Sequence, residues 1–259
     1  MKSVTKEEIV YALNLGGIEN GDVVLMHSAL SAIGHVEGGA DTVIDAVLEA
    51  VGPDGTFAVS TMAFDNPFDA ENSPSTVGII SETHRKRPNS IRSLRPVHSI
   101  NAIGARAEAL TKDHELCETN CGIGSPYLKL REMGGKIILL GVDMNRNTTL
   151  HAIEDIMDSA YLVDRTVPAP KYMENYERKT MVMKKFCPGH RNFLGFTADL
   201  RKADALIEVC IGNAMVKIID VRKMFALGEE MLTRDPLYFL CKNENCEHCA
   251  GVRKAQKGE

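Results

Sequence analysis

The run Lys136-Ile137-Ile138-Leu139-Leu140-Gly141-Val142 constrains the fold more than any other part of the chain. Consecutive apolar residues give a strand two buried faces, and a strand of that kind belongs inside a sheet with helices packed above and below it. Val23 to Met26 has the same character. It is followed by the loop HSALSAIGHVEGGA and an amphipathic stretch from Asp41 to Val51. Gly52-Pro53-Asp54-Gly55 is a turn signal, and Thr56 to Ser60 reads as the next strand. Two strands joined by a helix run parallel.

Other elements follow from local signals. Thr5, with acidic residues just after it, caps a helix whose Ile9, Val10, Leu13 and Leu15 share one face and which Gly16 stops. Met62 to Val77, rich in Pro, Asp, Asn and Ser, is an exposed loop. Ser75 is placed to cap a helix through Ile79 to Arg87, and a short strand follows in SIRSLRPVHSINAIG. Ser125-Pro126 opens a helix that ends at Gly134-Gly135. Lys179 to Phe186 and Leu206 to Ile218 alternate like strands, the second with a hairpin turn at Gly212-Asn213. The expected fold class is α/β: a single domain over residues 1–259, with a central, largely parallel sheet flanked by helices and antiparallel strands added by the C-terminal part.

Composition removes several function classes. With 259 residues and 44% hydrophobic content, the chain can bury one substantial core. Thirty basic residues against 35 acidic ones, with no long basic run, supply no phosphate-neutralising surface, so nucleic acid is not an expected partner. No run reaches the roughly 18 apolar residues of a membrane span. The N-terminus reads as a capped helix rather than a signal peptide, and a soluble, cytoplasmic protein is expected.

His151 and Glu154 are three residues apart, and on a helix they share one face, where the carboxylate can orient the imidazole and stabilise its protonated form. Thr148 and Thr149 stand at the start of that helix, where a hydroxyl and free N–H groups can donate to an oxyanion. The spacing also fits a cap, a packed histidine and a surface ion pair. Position gives it weight, because the segment directly follows the strongest strand, and ligands of open α/β sheets sit beyond the carboxyl ends of the strands. The loop after Met26 has the same advantage. Its Gly34, Gly38 and Gly39 precede a helix, a combination that can cradle a pyrophosphate, although it matches neither GxGxxG nor a P-loop.

Four segments in order, HSALSAIGHVEGGADTVIDAVLEAVGPDGT, PFDAENSPSTVGIISETHRKRPNSIRSLRPVHSINAIG, GSPYLKL and GGKIILLGVDMNRNTTLHAIE, resemble the aminoglycoside 3-N-acetyltransferase family over residues 5 to 165. The resemblance implies an α/β sandwich that transfers an acetyl group from acetyl-CoA, as cosubstrate, to an aminoglycoside, amino sugar or related amine, and a part in antibiotic resistance. It implies His151 as general base and Glu154 as its supporting carboxylate. Ser28, Ser31, Gly34, Gly38 and Gly39 fall in the coenzyme A contact region, and His27 and His98 match positions near the reaction centre. On this reading residues 1–165 form the coenzyme A-binding and catalytic core, 166–240 the acceptor side and 241–259 a cysteine-rich tail. The partners are acetyl-CoA and a small amine, with a homodimer as the candidate assembly. Asp65, Asp69, Glu71, Asp155 and Asp158 are available to a cationic acceptor. A non-catalytic, zinc-stabilised coenzyme A or metabolite sensor and a metal-assisted thioester or amide hydrolase are the alternatives.

Seven cysteines without a secretion signal point to thiols rather than disulfides. Cys241, Cys246 and Cys249 crowd into nine residues, a spacing suited to zinc if a fourth ligand joins them, with Cys187, His190 and His248 as the choices. A filled four-ligand site would be structural. Cys117 and Cys121 lie four apart, and an acyl-cysteine route through either needs a base that the local sequence does not show.

Overall fold

A computed structural model describes residues 3–64, 68–159, 161–168, 180–185, 191–243 and 245–257. Its elements run α1 (Lys6–Leu15), β1 (Val23–Ser28), α2 (Leu30–Ile33), α3 (Ala40–Val51), β2 (Thr56–Ser60), α4 (Ile79–Arg85), β3 (Ile91–Arg92), β4 (Ile100–Gly104), α5 (Ala107–Thr111), α6 (Pro126–Glu132), β5 (Lys136–Leu140), α7 (Leu150–Ile156), β6 (Val163–Pro168), β7 (Thr180–Lys185), α8 (Phe193–Lys202), β8 (Leu206–Ile211), β9 (Ala214–Asp220), α9 (Val221–Arg234) and α10 (Glu247–Lys257).

Seven strands form one sheet in the order β3-β4-β2-β1-β5-β9-β8. Its centre, β2-β1-β5, is parallel, as the two apolar strands and the intervening helix require. Antiparallel strands extend both edges: β9 and β8 beside β5, and β4 and β3 beside β2. The C-terminal part thus supplies one edge, and a short excursion of the N-terminal half supplies the other. Among the described residues, β6 and β7 pair with each other as a separate two-stranded sheet.

Strand alternation sorts the apolar residues into two layers. Val24, Met26, Ile138 and Leu140 face α1, α3 and Ile80 of α4, while Val23, Leu25, Ile137 and Leu139 face the layer built from α5 to α10. Each fully buried Leu or Ile in these layers contributes about 1.5–3 kcal/mol, so burial on both faces fixes the register of β1 and β5.

Local chemistry sets several boundaries. Thr5 and Glu8 form a reciprocal capping box on α1, whose Ile9 and Leu13 are buried, although Leu15 is exposed. Ser125 caps α6 with Pro126 in the first turn. The expected hairpin turn at Gly212-Asn213 joins β8 to β9. Ser75 does not cap α4. That helix begins after Gly78 without a side-chain cap, and the Ser75 N–H instead donates to Glu82 Oε2 at 2.8 Å. The loop after β1 also contains one helical turn, α2. Among the described residues, no helix is long and apolar enough to cross a membrane.

β1 is the switch point of the sheet, because the chain leaves it through α3 towards β2 on one side and later inserts β5 on the other. Ser28 pairs with Leu140, and the Ala29 N–H donates to the Leu140 carbonyl at 2.9 Å, so the loops after β1 and β5 start side by side. Gly141 makes this possible. Its φ is 65°, and a Cβ there would lie 2.3 Å from that of Ala32. The antiparallel β4 brings its start to the same edge, where Ile100 pairs with Ser60. His98 therefore arrives at the edge where α7 begins.

Candidate active site

The turn Asn147-Thr148-Thr149 leads into α7, and two buried contacts anchor it. Asn147 accepts the Thr149 N–H through Oδ1 at 3.2 Å, and Leu150 and Ile153 are fully buried. The helix proper starts at Leu150, with Thr149 as a cap that makes no side-chain capping bond. His151 and Glu154 fall on the expected shared face, with His151 Nδ1 2.7 Å from Glu154 Oε2.

Glu154 is almost completely buried, at 1% exposure, whereas His151 keeps 27% of its side chain accessible. Burial alone pushes the Glu154 pKa up and is the largest single influence. The His151 hydrogen bond and the charge of Arg191 together outweigh it and hold the carboxyl below its ordinary value. Arg191 donates through Nε to both oxygens, at 3.0 and 3.2 Å, and the Tyr161 hydroxyl donates to Oε1 at 2.9 Å. Burial first, then the Glu154 charge, raises the Tyr161 pKa, so the phenol keeps its proton. An ionised carboxylate only accepts, which places the His151 proton on Nδ1 and leaves Nε2 as the basic nitrogen. The segment alone does not reveal Arg191 and Tyr161: they lie outside it, Arg191 being 37 residues beyond Glu154, and only the tertiary fold brings them to Glu154.

His98 stacks on His151, with ring centroids 5.6 Å apart and planes 16° from parallel. Phe193 closes another side, edge-on to His151 at 5.4 Å. Thr148 is not a free donor. Its hydroxyl donates to the Tyr127 hydroxyl at 3.5 Å, and Tyr127 donates in turn to the His98 carbonyl at 3.1 Å. Cys121 does have a basic neighbour that its local sequence conceals, since its Sγ lies 3.2 Å from His98 Nδ1. Burial first, then nearby Asp155, raises this thiol's pKa well above the usual range, so it is not poised as a nucleophile.

The residues of the glycine-containing loop lie along the carboxyl edge. Ser31, Gly34 and Gly38 are exposed, Ser28 and Gly39 half-buried, and His27 buried within β1. Gly38 and Gly39 have φ of 71° and 64°, and Gly39 caps α3, whose first turn has no side-chain cap. Val4 exchanges backbone bonds with His35 and Glu37 and so ties the loop to the N-terminal segment. A separate cleft of about 860 Å³, bounded by Glu71, Glu82, Arg85, Arg87 and Arg92, contains none of the His151 group.

The three clustered cysteines converge. The sulfurs of Cys241, Cys246 and Cys249 all lie within 4.8 Å of one another, and Cys246 and Cys249 are buried against the layer that contains α8 and α9. Burial, then hydrogen bonds from the other two thiols, pushes Cys249 up to about 12. Donor type and spacing fit a thiolate-binding metal such as zinc. Cys187 and His190 lie outside the described residues, as does the side chain of His248.

A parallel switch point, with a histidine at its carboxyl edge held by a buried, arginine-paired carboxylate, defines an α/β protein whose candidate site lies beyond the carboxyl ends of its central strands. The profile of the aminoglycoside 3-N-acetyltransferases matches residues 25–233, and the chain belongs to that family. It is 34% identical over 180 residues to aminoglycoside N(3)-acetyltransferase III of a Salmonella species, a match that covers 60% of this chain and 61% of that relative, less than two thirds of its length. Solved structures agree over more of the chain. A histidine-to-alanine mutant of aminoglycoside acetyltransferase AAC(3)-IVa, in complex with a gentamicin, superposes with a TM-score of 0.86 at 30% identity, covering 98% of both chains. AAC-IIIb in a binary complex with CoASH gives 0.80 at 27% identity, covering 90% of this chain and 97% of that one.

Proposed function

We propose that the chain is an acetyl-CoA-dependent N-acetyltransferase acting on an aminoglycoside, amino sugar or related amine, by direct transfer with His151 as general base. The observation that carries this reading is the 2.7 Å contact between His151 Nδ1 and a Glu154 that this contact and Arg191 keep ionised. An alkyl ammonium with a pKa near 10.4 costs about 4–5 kcal/mol to neutralise at pH 7. His151 Nε2 lowers the rest of the barrier by taking the proton as the amine nitrogen attacks the thioester carbonyl. The new C–N bond forms, the C–S bond breaks, and the proton passes to the departing sulfur, giving an amide and free coenzyme A. Glu154 stabilises the imidazolium in between.

Ser28, Ser31, Gly34, Gly38 and Gly39, with His27 behind them, form the proposed coenzyme A contact. The loop's position beside the turn that carries His151 supports this, as does a relative crystallised with CoASH. We further assign Cys241, Cys246 and Cys249 to a structural zinc that pins the C-terminal helix, with Cys187 among the candidates for the fourth ligand. The mutual approach of the three sulfurs supports it.

A thiol-release assay with acetyl-CoA across aminoglycosides, amino sugars and polyamines tests the activity. Release that depends on an amine is expected. Release without amine would make the chain a hydrolase, and none at all a binding protein. His151→Ala should lower kcat about 10²–10⁴-fold while coenzyme A still binds, and unchanged turnover would reject the assignment.

A further inference from the structure

His98 is held through its backbone, at Nδ1 and across one ring face. Its backbone is left-handed, with φ of 64°, a conformation that costs a non-glycine residue energy and persists where the surroundings enforce it. Tyr127, itself tied to Thr148, donates to its carbonyl. The Cys121 sulfur sits 3.2 Å from Nδ1, and the ring lies face-on to His151. None of these contacts is needed to orient His151, which Glu154 already fixes.

We propose that His98 is a second catalytic residue, a neutral imidazole whose Nε2–H donates to the oxygen of the tetrahedral intermediate, and that Cys121 is the positioning residue that fixes this tautomer. The argument begins with the thiol. A protonated thiol donates to a basic imidazole nitrogen, whereas a neutral sulfur is a weak acceptor for an imidazole N–H, so the contact favours an unprotonated Nδ1 and leaves the proton on Nε2. The surroundings also keep the ring uncharged. Burial is the largest influence, and the positive charges of Arg95 and Arg191, and of His151 whenever it is protonated, oppose a second charge on it. A neutral imidazole stays a donor without competing with His151 for the amine's proton, which is how a neutral histidine serves as an electrophile.

The stacking supplies the geometry. With ring planes 16° from parallel and centroids 5.6 Å apart, the two imidazoles lie close enough for one tetrahedral centre to meet both. A tetrahedral carbon bonded to the nitrogen that His151 deprotonates spans that gap, with its oxygen on the His98 side. Thr148, the donor that the sequence suggests for this role, has its hydroxyl engaged by Tyr127. No further bond forms or breaks: the oxygen gains negative charge as nitrogen attacks and loses it as the C–S bond breaks, with the Nε2–H donating throughout.

The assignment of the oxygen rests on the proposed acetyl transfer; the tautomer does not. Nitrogen-15 NMR of histidine-labelled, ligand-free protein reads it directly. His98 should carry its proton on Nε2, remain neutral from about pH 7.5 to about pH 5.5, and lose the tautomer preference in Cys121→Ala but keep it in Cys121→Ser. A proton on Nδ1, or an imidazolium at about pH 6, would overturn the proposal whether or not any amine is acetylated.

Kinetics then tests the role. His98→Gln, which can bring an amide N–H near the Nε2 position, should retain at least 10-fold more kcat than His98→Asn, whose shorter amide cannot, although asparagine suits the left-handed backbone. His98→Asn should lose about 10²–10³-fold in kcat, with the KM for acetyl-CoA within about threefold. Equal losses in the two variants, or a loss confined to KM, would reject the donor role. Mass spectrometry of enzyme incubated with acetyl-CoA alone should find Cys121 unmodified; an acyl-thioester there would replace this scheme with a covalent one.

Discussion

Arg191 places Nε 3.0 Å from Glu154 Oε1, across 37 residues of sequence, and so neutralises a carboxylate that the fold has almost wholly removed from water. The pair explains how a buried acid stays ionised beside a histidine. It also means that the His151–Glu154 contact and the stability of the second layer depend on the same charge.

Removing one partner of such a pair leaves the other uncompensated, at a typical cost of about 3–5 kcal/mol. Arg191→Met should therefore lower unfolding stability by about 3 kcal/mol, the low end of that range, because Glu154 keeps its bonds to His151 and Tyr161. Turnover should fall with it as Glu154 gains a proton and releases His151. Tyr161→Phe removes one hydrogen bond to a charged group and should cost about 1.5 kcal/mol with a smaller effect on rate. Urea titrations beside steady-state kinetics check both, and a tolerant Arg191→Met would show that the guanidinium does not hold Glu154 ionised.

Three buried histidines outside the reaction make stability depend on pH. Burial drops His27 and His84 to about 4 and His114 to about 3, from an ordinary value of 6.5. His84 also bonds Asn101 at 2.6 Å, and His114 lies between Ser93 and the Asn120 carbonyl. Between the folded values and 6.5 the unfolded chain binds more protons than the folded one, so stability is complete above about pH 6.5 and falls as pH drops towards 4. Each histidine contributes a slope of about 1.4 kcal/mol per pH unit inside its window. Denaturant midpoints at pH 7.5, 6 and 5 should fall steadily; flat midpoints would mean that these imidazoles are protonated in the folded state.

The two glycines that shape the carboxyl edge should respond differently to alanine. Gly141→Ala puts a methyl 2.3 Å from the Ala32 side chain at a φ of 65°, and should destabilise the protein by about 2 kcal/mol or more. Gly39→Ala meets nothing within 4 Å, so only the backbone resists it: φ of 64° with ψ of −131° lies outside the left-handed helical well, at a cost of about 1–3 kcal/mol. Its larger effect should be on coenzyme A affinity, if the first turn of α3 faces the pyrophosphate. Calorimetric titration with coenzyme A beside thermal melts separates the two outcomes.

What the sequence reveals tracks how local the cause is. The Thr5–Glu8 box, the Ser125-Pro126 start, the parallel β1 and β2, the buried β5 and the hairpin at Gly212-Asn213 each arise within a few residues, or from a period of two, and all are legible. The His151–Glu154 contact is legible for the same reason, being one turn of helix. Arg191, Tyr161 and the Cys121–His98 contact are not, because 37, 7 and 23 residues separate the partners and no period links them. Ser75 misleads for a related reason. It has the chemistry of a cap, but Glu82 of α4 takes its N–H and the chain turns at Gly78 instead.

The C-terminal cysteines give the last prediction. Cys241 Sγ and Cys249 Sγ lie 3.2 Å apart, and burial with two neighbouring thiols drives Cys249 up to about 12, so without a metal this sulfur stays protonated. A bound zinc changes the balance by holding them as thiolates, and its binding energy becomes folding energy for the segment that supplies them. Purified protein should contain about one zinc per chain, and Cys246→Ser should lose it. A strong chelator should lower the melting temperature by several degrees and expose α10 to protease before the sheet unfolds, since Cys249 and the cluster it closes lie on that helix and the segment just before it. Equal zinc content in wild type and Cys246→Ser, or a melt that chelation leaves unchanged, would reduce the cluster to three packed thiols.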